Sequence, residues 1–172
     1  MPEERTGIVT MLGNPVTLVG PEIRAGNPAP GFTAIGKDMA PVNLSDSQGK
    51  VRVVASVPSL DTGVCAEETI RLNRLASDHP DNVEVITVSM DLPFALGRFC
   101  GANDINNART LSDHRTAAFG EAYGVLMKEN RLLCRAVFVV DGGGAVTHAQ
   151  YVPEIREHPD YDAVTRAVEG LL

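Results

Sequence analysis

Cysteine is scarce in this 172-residue chain: Cys65, Cys100 and Cys134 are the only three. That number is too small and too odd for a disulfide scaffold. In a reducing compartment the three are either buried small hydrophobes or working thiols. No cysteine pair has metal-ligand spacing, and His79, His114, His148 and His158 are scattered. Neither a metal site nor a bound cofactor is therefore expected. No apolar run approaches the ~20 residues that a membrane span needs. The start, Met1-Pro2-Glu3-Glu4-Arg5, lacks the basic start and apolar core of a secretory signal. A net charge of −7 and the absence of a Lys/Arg cluster argue against nucleic acid or an anionic membrane as partner. There is no internal repeat and no low-complexity linker. The expectation is a soluble, cytoplasmic protein of one domain, residues 1–172, long enough to bury a sizeable core.

What the chain does contain is organised around residues 57–65, Val-Pro-Ser-Leu-Asp-Thr-Gly-Val-Cys. An apolar run, residues 51–56, precedes this stretch and reads as a buried strand. Residues 67–76 follow it and read as an amphipathic helix, so Cys65 sits where a strand ends and a helix begins. A thiol in a first helical turn lies near unpaired N–H groups and the positive end of the helix dipole. Both favour the thiolate, which is the nucleophilic form. Thr62 has N-cap spacing, and its hydroxyl is expected to accept from a backbone N–H near Cys65 and to donate towards the sulfur or a bound oxygen. Pro58 ends the strand and stiffens the turn.

Elsewhere, residues 7–20 read as a β-hairpin turning at Gly13-Asn14-Pro15. Short strands are expected at 32–35 and 42–44, and a buried strand at 82–90. Together with 51–57 and the intervening helix, that last strand makes a parallel βαβ crossover. Short helices are expected at 93–100 and 116–123, and a strand at 132–140. The turn at Gly142-Gly143-Gly144 leads into an antiparallel partner at 145–152, and a C-terminal helix follows. The glycine run lacks the Lys-Ser/Thr and the following helix of a phosphate-binding loop, so it reads as a hairpin turn. The order describes an α/β protein: a mixed sheet with helices on its faces, compatible with the thioredoxin fold.

Pro58-x-x-x-Thr62-x-x-Cys65 resembles the active-site motif of peroxiredoxins, and residues 58–65 as a whole resemble their thiol peroxidase subfamily. Ser89-Met90-Asp91-Leu92-Pro93-Phe94-Ala95, leading into Arg98-Phe99-Cys100-Gly101, is similar to that subfamily's resolving-cysteine segment. Phe119 to Val125, Arg135 to Asp141 and Gly13 to Leu18 extend the resemblance over nearly the whole chain. The resemblance implies a thioredoxin-like fold with an N-terminal hairpin and reduction of hydrogen peroxide and organic hydroperoxides. It makes Cys65 the peroxidatic thiol, whose sulfenic acid Cys100 resolves as an intramolecular disulfide, with Pro58, Thr62 and Arg135 completing the site. It also implies recycling by thioredoxin and a homodimer.

Peroxide reduction needs a thiolate, donors for the peroxide oxygens and a fixed positive charge where charge develops. Arg135 is the candidate cation, because its strand is expected beside the Cys65 strand and an Arg in so apolar a run is costly unless paired. The competing reading is an Arg at a strand end that reaches solvent. Cys100, beside Phe99 on an apolar helix face, reads either as core or as the resolving thiol. Strand alternation sets Cys134 opposite Arg135, so with Arg135 facing the site Cys134 reads as a core thiol, a regulatory or competing disulfide role being the alternative. Cys65 and Cys100 are far apart in sequence and fall in different helices, so their disulfide is expected to require local unfolding. A redox sensor or thiol-dependent binding protein on the same fold, without turnover, is the alternative to an enzyme.

Overall fold

A computed structural model describes residues 1–172. In chain order its strands and helices begin with β1 (Glu4–Arg5), β2 (Thr10–Met11), β3 (Asn14–Pro15), β4 (Leu18–Val19), β5 (Thr33–Gly36) and β6 (Pro41–Asn43). They continue with β7 (Val51–Ser56), α1 (Gly63–Asp78), β8 (Val83–Ser89), α2 (Pro93–Ala102), β9 (Arg109–Ser112) and α3 (Ala118–Ala122). The last are β10 (Leu126–Met127), β11 (Ala136–Val140), β12 (Val146–Tyr151) and α4 (Tyr161–Glu169). Seven strands form one mixed sheet in the order β12-β11-β7-β8-β9-β5-β6. β7, β8 and β9 run parallel, and β11 and β12 on one side and β5 and β6 on the other are antiparallel additions.

The sheet centre is apolar on both faces, as strands covered on both sides must be. Every residue of β7 is buried. Val51, Val53, Val85, Val137 and Val139 pack on one face against Leu72 and Ala76 of α1 and Val164 and Val168 of α4. Val54, Ile86 and Phe138 face the other way, into the larger cluster with Phe119, Tyr123 and Cys134. Helix α1 buries Cys65, Glu68, Thr69, Leu72 and Ala76, a stripe at helical spacing.

The sequence-based expectations hold for the βαβ crossover, the closing hairpin and the helix expected at 93–100, which runs on to Ala102, and differ from the structure in four places. The N-terminal hairpin is only β2 and β3, turning through Leu12 and Gly13, both at positive φ. Residues 18–19 leave it and pair instead with β1 and β10. Residues 109–112, read as no element, are β9, because pairing with β8 and burial of Thr110, Leu111 and Ser112 override a weak local pattern. Residues 132–135 are outside β11; Leu133 bridges Leu126, and the chain straightens only at Ala136. The helix expected over 116–123 is Ala118–Ala122 alone.

Candidate active site

The end of β7 and the start of α1 bring Cys65 to the carboxyl edge of the parallel strands. Thr62 is the residue flanking α1, with extended backbone angles. The first N–H groups of α1 therefore lack intrahelical partners, and Cys65 lies in that turn. The Thr62 hydroxyl does not cap them. It donates instead to the Ser59 carbonyl at 3.1 Å, which corrects the expectation of an accepting side chain. The physical reason is the turn itself: Thr62 N–H also bonds Ser59 O, and the closed turn presents that carbonyl to the hydroxyl.

Cys65 is fully buried, and its sulfur accepts from Nη2 of Arg135 at 3.2 Å. Arg135 reaches it from the entry to β11, the strand that pairs directly with β7. The guanidinium is itself buried. It donates to the Ile155 carbonyl from Nε (3.1 Å) and Nη2 (2.8 Å), and to Glu68 Oε2 from Nη1 at 2.5 Å. Arg135 thus faces inward, and the solvent-reaching alternative does not apply. Its charge is held: burial works against it, but Glu68 and the Cys65 sulfur outweigh that and carry it above its ordinary value.

Glu68 is the functional-site residue that sequence reading missed, although it stands three positions after Cys65 on the same helical face. It is fully buried, and its Oε1 has no hydrogen-bond partner. Burial pushes the carboxyl up to about 7, and the attraction of Arg135 offsets only part of that. The folded protein therefore keeps this proton to a higher pH than the unfolded chain, whose carboxyl titrates near 4.5. Glu68's contribution to stability is complete below that ordinary value and fades as pH rises towards about 7. The expected loss across this window is about 3 kcal/mol at most. Glu68→Gln should flatten the decline; denaturant titrations from pH 4.5 to 8 measure it, and an unchanged slope in the variant would refute the assignment.

A cleft of about 400 Å³ opens over this turn. Pro58, Ser59, Thr62 and Arg135 line its floor and wall, with Leu132 and Ile155. Met11 and Leu12, the tip of the β2–β3 hairpin, form part of its rim. The hairpin is tied there: Thr10 N–H donates to Pro153 O, Ile155 N–H to Thr10 O, and Gly13 N–H to Glu154 Oε1. The segment that anchors the hairpin therefore also supplies the carbonyl that orients Arg135.

All three cysteines are free thiols. Cys134 lies in the larger core cluster, and burial pushes its thiol up to about 12. Cys100 is buried on α2, with its sulfur 3.2 Å from the Thr110 hydroxyl on β9. It adjoins a second cleft of about 310 Å³ that Lys37, Asp38 and Arg109 also line. The helices are less separate than the sequence suggested, since Leu96 of α2 packs in one small cluster with Cys65, Val57 and Leu60. The structure thus lines one cleft with Pro58, Thr62 and Arg135, buries the Cys65 sulfur just behind that lining against Arg135, and leaves the Cys100 thiol facing a different partner.

Comparison with known proteins agrees with this geometry. A family model described as Redoxin matches residues 24–165. The thiol peroxidase of Halalkalibacterium halodurans is 49% identical over 164 residues, covering 95% of this chain and 98% of that protein. That of Oceanobacillus iheyensis is 52% identical over 156 residues, covering 91% and 94%. The crystal structure of a peroxiredoxin-like protein from Aquifex aeolicus superposes with a TM-score of 0.90 at 42% identity, covering 98% of this chain and 99% of that one. With a thiol held by a buried guanidinium at a strand-to-helix turn, on a thioredoxin-like sheet, the chain belongs to the Redoxin family and, within it, to the thiol peroxidases, which are thiol-dependent peroxidase enzymes.

Proposed function

We propose that Cys65 attacks a hydroperoxide bound in the 400 Å³ cleft and that Cys100 resolves the product. The observation that carries this reading is the Arg135 Nη2 contact to the Cys65 sulfur at 3.2 Å, inside a helix-terminal turn open to that cleft. In the first step the thiolate attacks one peroxide oxygen and an S–O bond forms. The O–O bond breaks, and the departing oxygen takes a proton and leaves as water or an alcohol. Arg135 and the free N–H groups of the first α1 turn face the charge that builds on sulfur and oxygen. The Thr62 hydroxyl serves as a donor to the peroxide after turning from Ser59 O, and Pro58 walls the cleft beneath it.

In the second step the Cys100 thiolate attacks the sulfenic sulfur. An S–S bond forms, and hydroxide leaves and is protonated to water. Because the Cys100 sulfur sits against Thr110 and Cys65 against Arg135, one of the two segments must open first. A dithiol reductant of the thioredoxin type then returns both thiols. The protein acts on hydrogen peroxide and organic hydroperoxides in the cytoplasm, as a homodimer of single-domain chains spanning residues 1–172; no helix is long and apolar enough to cross a membrane.

The test is peroxide consumption coupled to thioredoxin and its reductase, beside a glutathione system. Turnover is expected with thioredoxin, and Cys100→Ser should complete one oxidation of Cys65 and then stall. Peptide mapping of oxidised protein should give the 65–100 link. A dominant 65–134 or intermolecular link, or full turnover by Cys100→Ser, would remove Cys100 from the mechanism.

A further inference from the structure

Asp91 lies between β8 and α2, two residues before the helix that carries Cys100. Its carboxylate accepts three hydrogen bonds: from the Ser59 hydroxyl at 2.7 Å, from Leu60 N–H at 2.8 Å and from the Ser89 hydroxyl at 2.8 Å. Ser59 and Leu60 belong to the loop that leads into the Cys65 turn. The Asp91 carbonyl accepts from the Ser112 hydroxyl on β9, and Ser112 Oγ lies 2.8 Å from His114 Nδ1. No cation pairs with Asp91, so its charge serves hydrogen bonds alone, two from the loop and one from Ser89 at the end of β8. Such charge-assisted bonds are roughly twice as strong as neutral ones.

The same two segments meet a second time through side chains. Leu60 of the loop and Leu96 of α2 pack in the cluster that holds Cys65. The loop and the first turn of α2 therefore share one apolar cluster, and displacing either removes packing from the other. Helix α2 is weak in itself. It contains Gly97 and Gly101, and neither position requires glycine: a Cβ at 97 would come no closer than 3.9 Å to Lys37, and at 101 it would meet nothing. Each costs the helix about 1 kcal/mol relative to alanine.

From these contacts we infer that Asp91 is a positioning residue that clasps the Cys65 loop to the root of the Cys100 helix, so that the two segments open together and release of the clasp limits disulfide formation. The consequence for disulfide formation rests on the resolving role proposed for Cys100; the coupling of the two segments does not. An amide at position 91 keeps one carbonyl oxygen for Leu60 N–H and Ser89, and turns its NH₂ to Ser59 Oγ, whose hydroxyl must reverse from donor to acceptor. Asp91→Asn therefore weakens the clasp by removing its charge, without removing bulk. Ser89→Ala leaves both bonds to the loop and removes the one that orients the Asp91 carboxylate from its own segment, so it is the milder variant.

Hydrogen exchange of the reduced proteins, read by mass spectrometry, tests the coupling. In Asp91→Asn, amides in residues 59–66 and in residues 92–101 should both exchange about tenfold faster or more, the scale expected for losing hydrogen bonds to a charged group. Amides of β7 and β8 should keep their protection, and Ser89→Ala should show the same pattern with a smaller factor. After one equivalent of peroxide, quenched-flow thiol trapping should show the 65–100 disulfide forming faster in the order Asp91→Asn, Ser89→Ala, wild type. Loosening confined to one of the two segments overturns the proposal. So does loss of protection in β7 and β8 in both variants, which would make Asp91 a general stabiliser, and so does an unchanged disulfide rate once both segments have loosened. Oxidised wild type that never gives a 65–100 link, with both segments loosened in the variants, would leave the clasp standing and refute the role of Cys100 instead.

Discussion

Replacing Cys65 by serine is expected to abolish peroxide turnover, whereas Cys134→Ala should leave it near the wild-type rate. The two thiols are equally buried, so burial does not distinguish them. Their surroundings do. The Cys65 sulfur has a guanidinium N–H at 3.2 Å and lies in the first turn of α1. Cys134 is packed among apolar side chains, and burial pushes its thiol up to about 12, so that almost none of it is thiolate near neutral pH. A serine hydroxyl at 65 has the same neighbours but does not ionise there and cannot form a sulfenic acid. Alanine is the informative replacement at 134, since a serine hydroxyl would need a partner in a dry core. The measurement is peroxide consumption over many turnovers beside a thermal melt. Sustained turnover by Cys65→Ser would sink the assignment. Loss of activity in Cys134→Ala at an unchanged melting temperature would give that thiol a role the structure does not suggest.

Arg135→Met is expected to slow oxidation of Cys65 by about 10²–10³-fold, the usual consequence of removing one preorganised donor from developing charge. The variant should also lose stability, because the buried Glu68 carboxylate is left without its partner. Part of that loss is recovered when Glu68 takes up a proton, which burial already favours. The double variant Arg135→Met with Glu68→Gln separates the two effects. It should melt well above Arg135→Met alone, since no charge is then buried unpaired, yet oxidise as slowly. Single-turnover oxidation of Cys65 and denaturant unfolding are measured on both proteins. If the double variant regains the wild-type oxidation rate along with its stability, Arg135 acts only by holding the fold together.

Much of this arrangement was legible in the chain because its signals are local. A proline, a threonine three residues before a cysteine, an apolar run before them and a helical stripe after them fix a thiol at a strand-to-helix turn. Strand pattern was enough to place β7, β8 and residues 136–140 of β11, though not the start of that strand, and the adjacency of β11 to β7 carried Arg135 to the right neighbour. Helical phase could also have found Glu68, because position 68 falls in the same stripe as Cys65, Thr69, Leu72 and Ala76. Nothing local beyond that phase separates the two adjacent glutamates, of which Glu67 is exposed and Glu68 buried.

The α/β sheet with its βαβ crossover, the strand-to-helix turn at Cys65 and the apolar setting of Cys134 follow from local pattern alone. Periodicity, turn chemistry and capping act over a few residues and leave their mark in the string. Only the tertiary structure decided the rest. The pairing of Arg135 with Glu68 links β11 to α1 across 67 positions, and Asp91 reaches back 31 positions to Leu60. The hairpin tip sits over the cleft because Thr10 and Gly13 bond residues more than 140 positions away. The Thr62 hydroxyl turns to Ser59 because the closed loop offers that carbonyl. These contacts join residues that no local pattern relates, and they form only once packing of both sheet faces has brought the segments together and made unpartnered polar groups costly.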